Sequence, residues 1–319
     1  MATDKSVKRN HGGMARKDRA FKGLTLGLAL TATALPILIA LELARTSSPA
    51  IHHFGWKFIS SQDWDPVHEL FGALPFIYGT IVSSILALVI AIPLGLGAAI
   101  WLVETAPKSL RAPVGFLVEL LAAIPSIIYG LWGIFVLVPI LRDHIEMPLA
   151  LKFPNFPLLS GQPLGIGMLS GGLVLAVMVI PFITSVSQQV LEAVPNSQRE
   201  AALSLGATKW EMIRTSVIPY ARSGIVGAIM LGLGRALGET MAITMVIGNV
   251  PAISAHLFDP GYTMASVLAN EFSEATSDMH RFALVEIGLL LFILAIIVNI
   301  CARLLISKTA KGIAETGTA

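Results

Sequence analysis

Long apolar stretches alternate with short polar stretches along the whole chain, and their lengths predict membrane-spanning helices. The first charge-free stretch runs from Gly23 to Leu41, which is long enough for one span because about 20 apolar residues cross the hydrocarbon core as a helix. Further apolar stretches begin near residues 70, 113, 166, 223 and 282. We therefore predict an all-α integral membrane protein with six transmembrane helices.

Polar residues between the apolar stretches divide the chain into segments. We predict a basic tail at 1–22, an uncleaved first helix at 23–44, a solvated loop at 45–72, a core with the other five spans at 73–304 and a second tail at 305–319. The first apolar stretch is longer than the apolar region of a usual signal peptide. His52 and His53 are adjacent and therefore point apart, which favours a solvated loop over a metal site.

Two of the predicted spans contain unusual residues. The third span is predicted at 113–141 although Glu119 and Pro125 interrupt it, and a proline-rich loop is predicted at 142–165. The fifth span has small residues four apart, followed by a GxxxG pair, and this spacing allows helix backbones to approach closely. These small residues are Gly224, Ala228 and Gly232, and then Gly234 and Gly238. We expect the fifth span to lie inside the bundle.

Composition agrees with a membrane protein and excludes several kinds of site. The 319 residues are 55% hydrophobic and 13% charged, with a mean hydropathy of +0.76. Cys301 is the single cysteine, so a disulfide or a cluster of thiolate ligands is excluded, and we expect a buried thiol. The sequence has no GxxxxGK[ST] loop, and its seven histidines form no HExxH motif. We predict no catalytic residue, no metal and no cofactor, and therefore no enzyme.

The distribution of lysine and arginine predicts the orientation. With six spans, sixteen of the 22 basic residues fall on the side of the two tails, five fall on the other side, and Arg235 lies within a span. Because basic residues concentrate in cytoplasmic loops, both termini are predicted to be cytoplasmic. The polar segment between the fourth and fifth spans is then cytoplasmic too, on the side where ATP is available.

That polar segment, residues 197–219, predicts two short helices. Ser197 and Glu200 have the spacing of a capping box, and Gly206 provides a stop. Thr208 and Glu211 repeat the capping spacing, and Pro219 is expected to end the second helix. The segment is either an amphipathic connector in the lipid interface or a docking element for a soluble partner. We call residues 197–219 the EAA segment.

Arg235 and Glu239 are charged residues inside the fifth span. Four residues apart, they are expected on one face of a helix. Burying an arginine in a membrane costs on the order of 2.5–3.5 kcal/mol, so a function is favoured. The pair is either a salt bridge between helices or an anion site in which Glu239 holds Arg235 and competes with the anion. The planar guanidinium suits an oxyanion because it bonds two oxygens at once.

Several sequence motifs resemble those of a known family. Glu200, Ala201, Ala202, Gly206 and Pro219 match the EAA loop of ABC-importer permeases, although Ser216 replaces a usually apolar residue. The stretches IPLGLGAAIWL, ELLAAIPSIIYGLWG and LGLGRALGETMA resemble the phosphate-specific permeases of the PstC type. This resemblance implies a type I ABC importer permease fold in the cell inner membrane, and it implicates Arg235 and Glu239 in phosphate passage.

The same resemblance implies partners. These are a second, PstA-type permease that completes the pore, a PstB-type ATPase dimer that receives Glu200, Ala201, Ala202 and Gly206 in a cleft, and an extracytoplasmic phosphate-binding protein. No nucleic acid is expected. Residue types alone leave sulfate or molybdate open as the transported oxyanion. A different class, an ATP-independent channel or secondary transporter, would leave the EAA segment without a role.

Overall fold

The computed structural model of the protein describes residues 11–316 except 154, 155, 157, 159 and 160. This part of the chain is built of helices with one short hairpin, β1 (Trp64–Asp65) paired antiparallel to β2 (Leu70–Phe71). The helices are α1 (His11–Phe54), α2 (Lys57–Ser60), α3 (Leu74–Ile100), α4 (Lys108–Ala123), α5 (Ser126–Trp132), α6 (Val138–Leu141), α7 (Met147–Lys152), α8 (Met168–Glu192), α9 (Asn196–Ser204), α10 (Lys209–Met212), α11 (Ile218–Leu237), α12 (Met241–Val246), α13 (Met264–Glu271) and α14 (Asp278–Thr316). Short π-helical segments at Trp101–Thr105, Gly133–Leu137, Arg142–Glu146 and Ile213–Val217 continue the neighbouring α-helices.

Six helical stretches of the described chain are long and apolar enough to cross a membrane, which confirms the predicted number. They are Ala20–Phe54, Leu74–Thr105, Ser126–Lys152, Met168–Glu192, Lys209–Leu237 and Asp278–Ser307. Large apolar side chains such as Leu35 and Val89 are exposed on their outer surfaces. A surface of this kind suits lipid, and helices satisfy their backbone hydrogen bonds internally as the hydrocarbon requires.

The first helix is longer than predicted at both ends. It begins by His11, inside the predicted tail, and continues to Phe54, through the first part of the predicted solvated loop. The prediction failed here because the polar end of α1 packs on α14, where Leu43 meets Gly288 and Ala50 is fully buried. His52 and His53 are exposed at the end of α1. The described residues contain no group of three potential metal ligands.

The third span begins later than predicted. Ile124 is extended and Pro125 follows it, so the helix breaks there, as expected before a proline. The predicted span 113–141 is therefore divided between α4 and the span Ser126–Lys152, which also includes the start of the predicted proline-rich loop. Glu119 is exposed on α4 and lies outside the spanning stretch.

Helix α8 forms the centre of the bundle and packs on α3 and α11. Glycines make both contacts close: a Cβ atom at Gly172 would lie 2.4 Å from Leu86 Cδ2 on α3. A Cβ atom at Gly224 would lie 2.4 Å from Val190 Cγ1. The predicted stripe of small residues in the fifth span is thus confirmed as a packing face.

Two sequence expectations about burial were wrong. Gly234 and Gly238 are exposed and meet no neighbouring helix in the described part of the chain, so this GxxxG pair brings no described helices together. Cys301 is exposed rather than buried. It shares a face of α14 with the exposed Ile297 and Leu304, because residues three and four apart lie on the same side of a helix.

An aromatic cluster closes the end of the bundle opposite the EAA segment. Phe58, Phe71 and Phe76 are buried there together with Tyr262. The indole N–H of Trp64, on the hairpin, donates to Glu271 Oε2 at 2.9 Å. The hairpin is therefore fastened to the helices α3 and α13 rather than forming a free loop.

Candidate substrate pathway and EAA segment

The fifth span ends between the two charged residues that the sequence placed on one helix. Helix α11 stops at Leu237, and Gly238 occupies its C-cap position. Arg235 lies in the last turn of α11, whereas Glu239 lies beyond the helix and accepts a hydrogen bond from the N–H of Ala242 at 3.3 Å. The prediction of one shared helix face was wrong because Gly238 favours a helix end and Glu239 caps the start of α12 instead.

Arg235 has no carboxylate partner among the described residues. Its guanidinium carbon lies 4.5 Å from the ring centroid of Phe182 on α8, and its buried Nε atom has no hydrogen-bond acceptor. The ring contact offsets part of the cost of the buried charge. The remaining N–H groups form no hydrogen bond in the described structure. The arrangement therefore leaves a positive charge and free donors for an anion.

A second helix break lies beside Arg235. The hydroxyl of Tyr129, on α5, donates to the carbonyl of Leu121 on α4 at 2.7 Å and so bridges the break at Pro125. Tyr129 packs in a buried cluster with Met178 of α8. Met178 lies one helical turn before Phe182, whose ring contacts Arg235. Helix α5 packs closely on α12, because a Cβ atom at Gly130 would lie 3.1 Å from the Cα of Ala242. The helix break at the start of the third span and the helix end of the fifth span thus lie near the arginine. Non-helical backbone of this kind is typical of a pathway within a transporter.

The EAA segment forms two short helices with a sharp turn between them, as predicted. Gly206 has φ +85°, a conformation that glycine adopts without steric cost. The second capping box is confirmed: the Thr208 N–H donates to Glu211 Oε2 at 2.8 Å, and the Glu211 N–H donates to Thr208 Oγ1 at 3.3 Å.

The first capping box and the predicted end of the second helix were wrong. Helix α9 already starts at Asn196, with Pro195 at the N-cap, so Ser197 lies inside the first turn and does not cap it. Pro219 ends no helix: it occupies the first turn of α11, which continues α10 through a π-helical segment. The π-helical segment just before Pro219 changes the local hydrogen-bond pattern, so the helix continues past the proline although it lacks an N–H. The fifth span therefore begins at Lys209 rather than near Ser223.

Ser216, which departs from the usual EAA pattern, links the two helices of the segment. Its hydroxyl donates to the carbonyl of Gln198 at 2.9 Å. This hydrogen bond holds α9 against the π-helical segment Ile213–Val217. The polar residue thus has a structural role that an apolar side chain does not fill.

The outer surface of the EAA segment is open to a partner. Glu200, Ala201 and Gly206 are exposed, while Ala202 is half-buried against an apolar cluster that includes Met212. Leu205 is 89% exposed, although it is a large apolar residue. A large apolar side chain that is so exposed to solvent is typical of an interaction surface.

One of the ion pairs that the sequence did not predict joins the EAA segment to the second span. Arg199 donates to Glu104 Oε1 through Nε at 3.0 Å and through Nη2 at 2.8 Å. Both side chains are largely buried. The signal in the sequence was weak: Glu104 ends an apolar stretch, and Arg199 precedes the EAA motif, 95 residues further along the chain.

Comparison with known proteins agrees with this architecture. The chain matches the family described as "Binding-protein-dependent transport system inner membrane component" over residues 91–311. It is 45% identical, over 92% of its length and 91% of the relative's, to "Phosphate transport system permease protein PstC" of Mesorhizobium japonicum. It is 47% identical to the protein of the same name in Haemophilus influenzae, over 90% of this chain and 92% of that relative.

Solved structures of ABC transporters share the fold. A chain of the MetNI methionine ABC transporter in an inward-facing conformation aligns with a TM-score of 0.58 at 18% identity, over 77% of this chain and 99% of that chain. A chain of a bacterial ABC transporter involved in alginate import aligns with a TM-score of 0.51 at 17% identity, over 91% of this chain and 99% of that chain.

These findings define a multi-pass membrane protein with the type I ABC importer permease fold, as the motifs implied. The chain belongs to the family of binding-protein-dependent transport system inner membrane components.

Proposed function

We propose that this chain is a permease subunit of an ATP-driven importer that moves inorganic phosphate across the cytoplasmic membrane by alternating access. The observation that carries this proposal is the guanidinium of Arg235, which lies in a span, beside two helix breaks, without a carboxylate partner among the described residues. Relatives that cover nearly the whole chain are named as phosphate transport permeases, which supports phosphate as the anion.

Arg235 would bind phosphate through its free N–H groups, since a planar guanidinium bonds two oxygens of an oxyanion in parallel. Glu239 lies on the other side of the helix end and does not neutralise the arginine. A carboxylate close to the pathway is more compatible with phosphate, which carries a proton near neutral pH, than with sulfate, which does not. The transported ion would thus pass between Arg235, which attracts it, and Glu239, which favours phosphate over sulfate.

Energy would come from a separate ATPase dimer at the EAA segment. Glu200, Ala201 and Gly206 are exposed and would enter its cleft, with the half-buried Ala202 beneath them, and the small alanines permit close approach. The excess of basic residues on this side supports a cytoplasmic position for the EAA segment and both termini. A second, PstA-type permease would complete the pore, and a phosphate-binding protein would deliver the ion from outside.

Selectivity for phosphate is tested by uptake of labelled phosphate in cells that co-express the chain with its partner subunits. We expect a large excess of sulfate or molybdate to leave uptake nearly unchanged and unlabelled phosphate to abolish it. Uptake should also require ATP. Strong competition by sulfate would favour the alternative oxyanions, and uptake without the ATPase would favour a channel or secondary transporter.

Replacing Phe182 by leucine is expected to raise the KM for phosphate about two- to thirtyfold, since a cation–π contact contributes about 0.5–2 kcal/mol. The leucine fills part of the space but offers no ring to the Arg235 guanidinium. Phe182→Tyr keeps the ring and should retain a KM near the wild type. Phe135→Leu, at a residue that is 73% exposed, serves as the control. An unchanged KM in Phe182→Leu would show that the ring contact does not position the arginine.

A further inference from the structure

The ion pair between Arg199 and Glu104 lies where the EAA segment meets the spans. Glu104 belongs to the π-helical segment that ends the second span, and Arg199 lies in α9, the first helix of the EAA segment. The side chains retain 5% and 15% of their accessible surface. Removing either partner would leave the other charge buried and uncompensated, so such a pair resists separation.

Arg199 also binds the end of α8. Its Nη2 atom donates to the carbonyl of Leu191 at 2.9 Å, and Nη1 donates to the carbonyl of Val194. Carbonyls at a helix C-terminus lack the i→i+4 partner of the helix interior. The guanidinium bond at 2.9 Å adds to the longer one that the Leu191 carbonyl accepts from the N–H of Val194 at 3.3 Å. One arginine thus joins three elements: α9, the end of the second span and the end of α8.

The two spans that Arg199 joins are themselves tightly packed. Helices α3 and α8 contact along their length, with Gly172 against Leu86 and Gly95 against Ile183. Helix α8 also carries Phe182, the ring beneath the guanidinium of Arg235. A displacement of α9 that keeps the ion pair intact would therefore displace α3 and α8 together, and with them one wall of the Arg235 site.

We propose that Arg199 and Glu104 are positioning residues that make the EAA segment, α3 and α8 move as one rigid unit. When the ATPase closes on the EAA segment, the ion pair transmits the displacement to the spans rather than allowing α9 to move alone. This inference rests on the proposed function of the EAA segment. It assigns to the pair a role in coupling hydrolysis to transport, and none in binding the ATPase or phosphate.

The test measures the number of ATP molecules hydrolysed per phosphate transported by the complete importer in proteoliposomes. Glu104→Gln keeps the shape of the side chain but removes the charge, and Arg199→Gln removes the guanidinium. We expect each to raise the ATP-to-phosphate ratio about tenfold, within the range of coupling energies between sites, while the ATPase still co-purifies. The double variant should be no worse than either single variant, because both remove the same contact.

Arg303→Gln is the matched control, since it removes an exposed arginine from α14, outside the EAA segment. It should keep the wild-type ratio. Loss of the ATPase from the purified Glu104→Gln importer would assign the pair to docking. Absence of this variant from the membrane would assign the pair to folding. Either result, or a normal ATP-to-phosphate ratio, would overturn the proposal. A wild-type importer that does not transport phosphate would instead refute the proposed function.

Discussion

Arg235→Gln is expected to lower phosphate uptake on the order of 100-fold or more, the largest effect that we predict for any substitution. A buried charge that loses its oppositely charged, hydrogen-bonded partner costs about 2–5 kcal/mol, and glutamine offers neither the charge nor the paired donors. Arg235→Lys keeps the charge but loses the planar fork and the ring contact with Phe182, so its uptake should be intermediate. Initial rates of labelled phosphate uptake, normalised to the amount of permease in the membrane, measure both effects.

Arg222→Gln is the control for charge loss within the same helix. Arg222 lies on α11, and its Nε atom is also buried without a partner, but it is several turns away from the helix breaks. We expect uptake by this variant to remain close to that of the wild type. Wild-type uptake by both Arg235 variants would exclude Arg235 as the anion site. An equal loss of uptake in Arg222→Gln would indicate that the presence of a buried charge on α11 matters more than the position of that charge along the helix.

Gly206→Leu should lower phosphate uptake about tenfold or more while the permease remains in the membrane. Leucine at φ +85° costs about 1–2 kcal/mol in backbone strain, which a membrane bundle tolerates at an exposed turn. A Cβ atom at Gly206 has none of the residues described by the structure within 4 Å. The expected loss, about tenfold or more, therefore comes from overpacking against the ATPase, at about 1–3 kcal/mol. Co-purification of the ATPase and phosphate uptake should both decrease.

Gly55, at the end of the bundle opposite the EAA segment, provides a matched control for backbone strain. Gly55 has φ +55°, is exposed, and likewise has nothing within 4 Å of a Cβ atom. Gly55→Leu introduces the same side chain in the same left-handed conformation, far from the EAA segment. Its uptake should equal that of the wild type. Normal transport by Gly206→Leu would argue against docking through the EAA segment, and equal losses in both variants would attribute the defect to strain.

Features that depend on neighbours close in the sequence were predictable. The six spans follow from the length of the apolar stretches, because a helix in hydrocarbon needs only its own backbone to satisfy its hydrogen bonds. The turn at Gly206 and the capping box of Thr208 and Glu211 also depend on residues at most three or four positions apart. The packing face of Gly224 and Gly232 follows from helical period and side-chain size.

Local patterns were less reliable where two backbone conformations are similar in energy. Four-residue spacing placed Arg235 and Glu239 on one helix, but α11 ends between them. The close packing of α12 on α5, at Gly130 and Ala242, favours the break. Apolar continuity likewise placed 113–141 in one span, whereas Pro125 and the hydrogen bond from Tyr129 to Leu121 define two helices.

The sequence by itself thus determined the class of protein, its six spans and the position of the EAA segment, because hydropathy and short-range motifs are local properties. Tertiary structure alone decided which charges are paired. Among the described residues, it left Arg235 without a carboxylate partner and joined Arg199 to Glu104 across 95 residues. The physical reason is that the cost of burying a charge depends on which groups the fold brings within hydrogen-bond distance, and residues remote in the chain supply those groups.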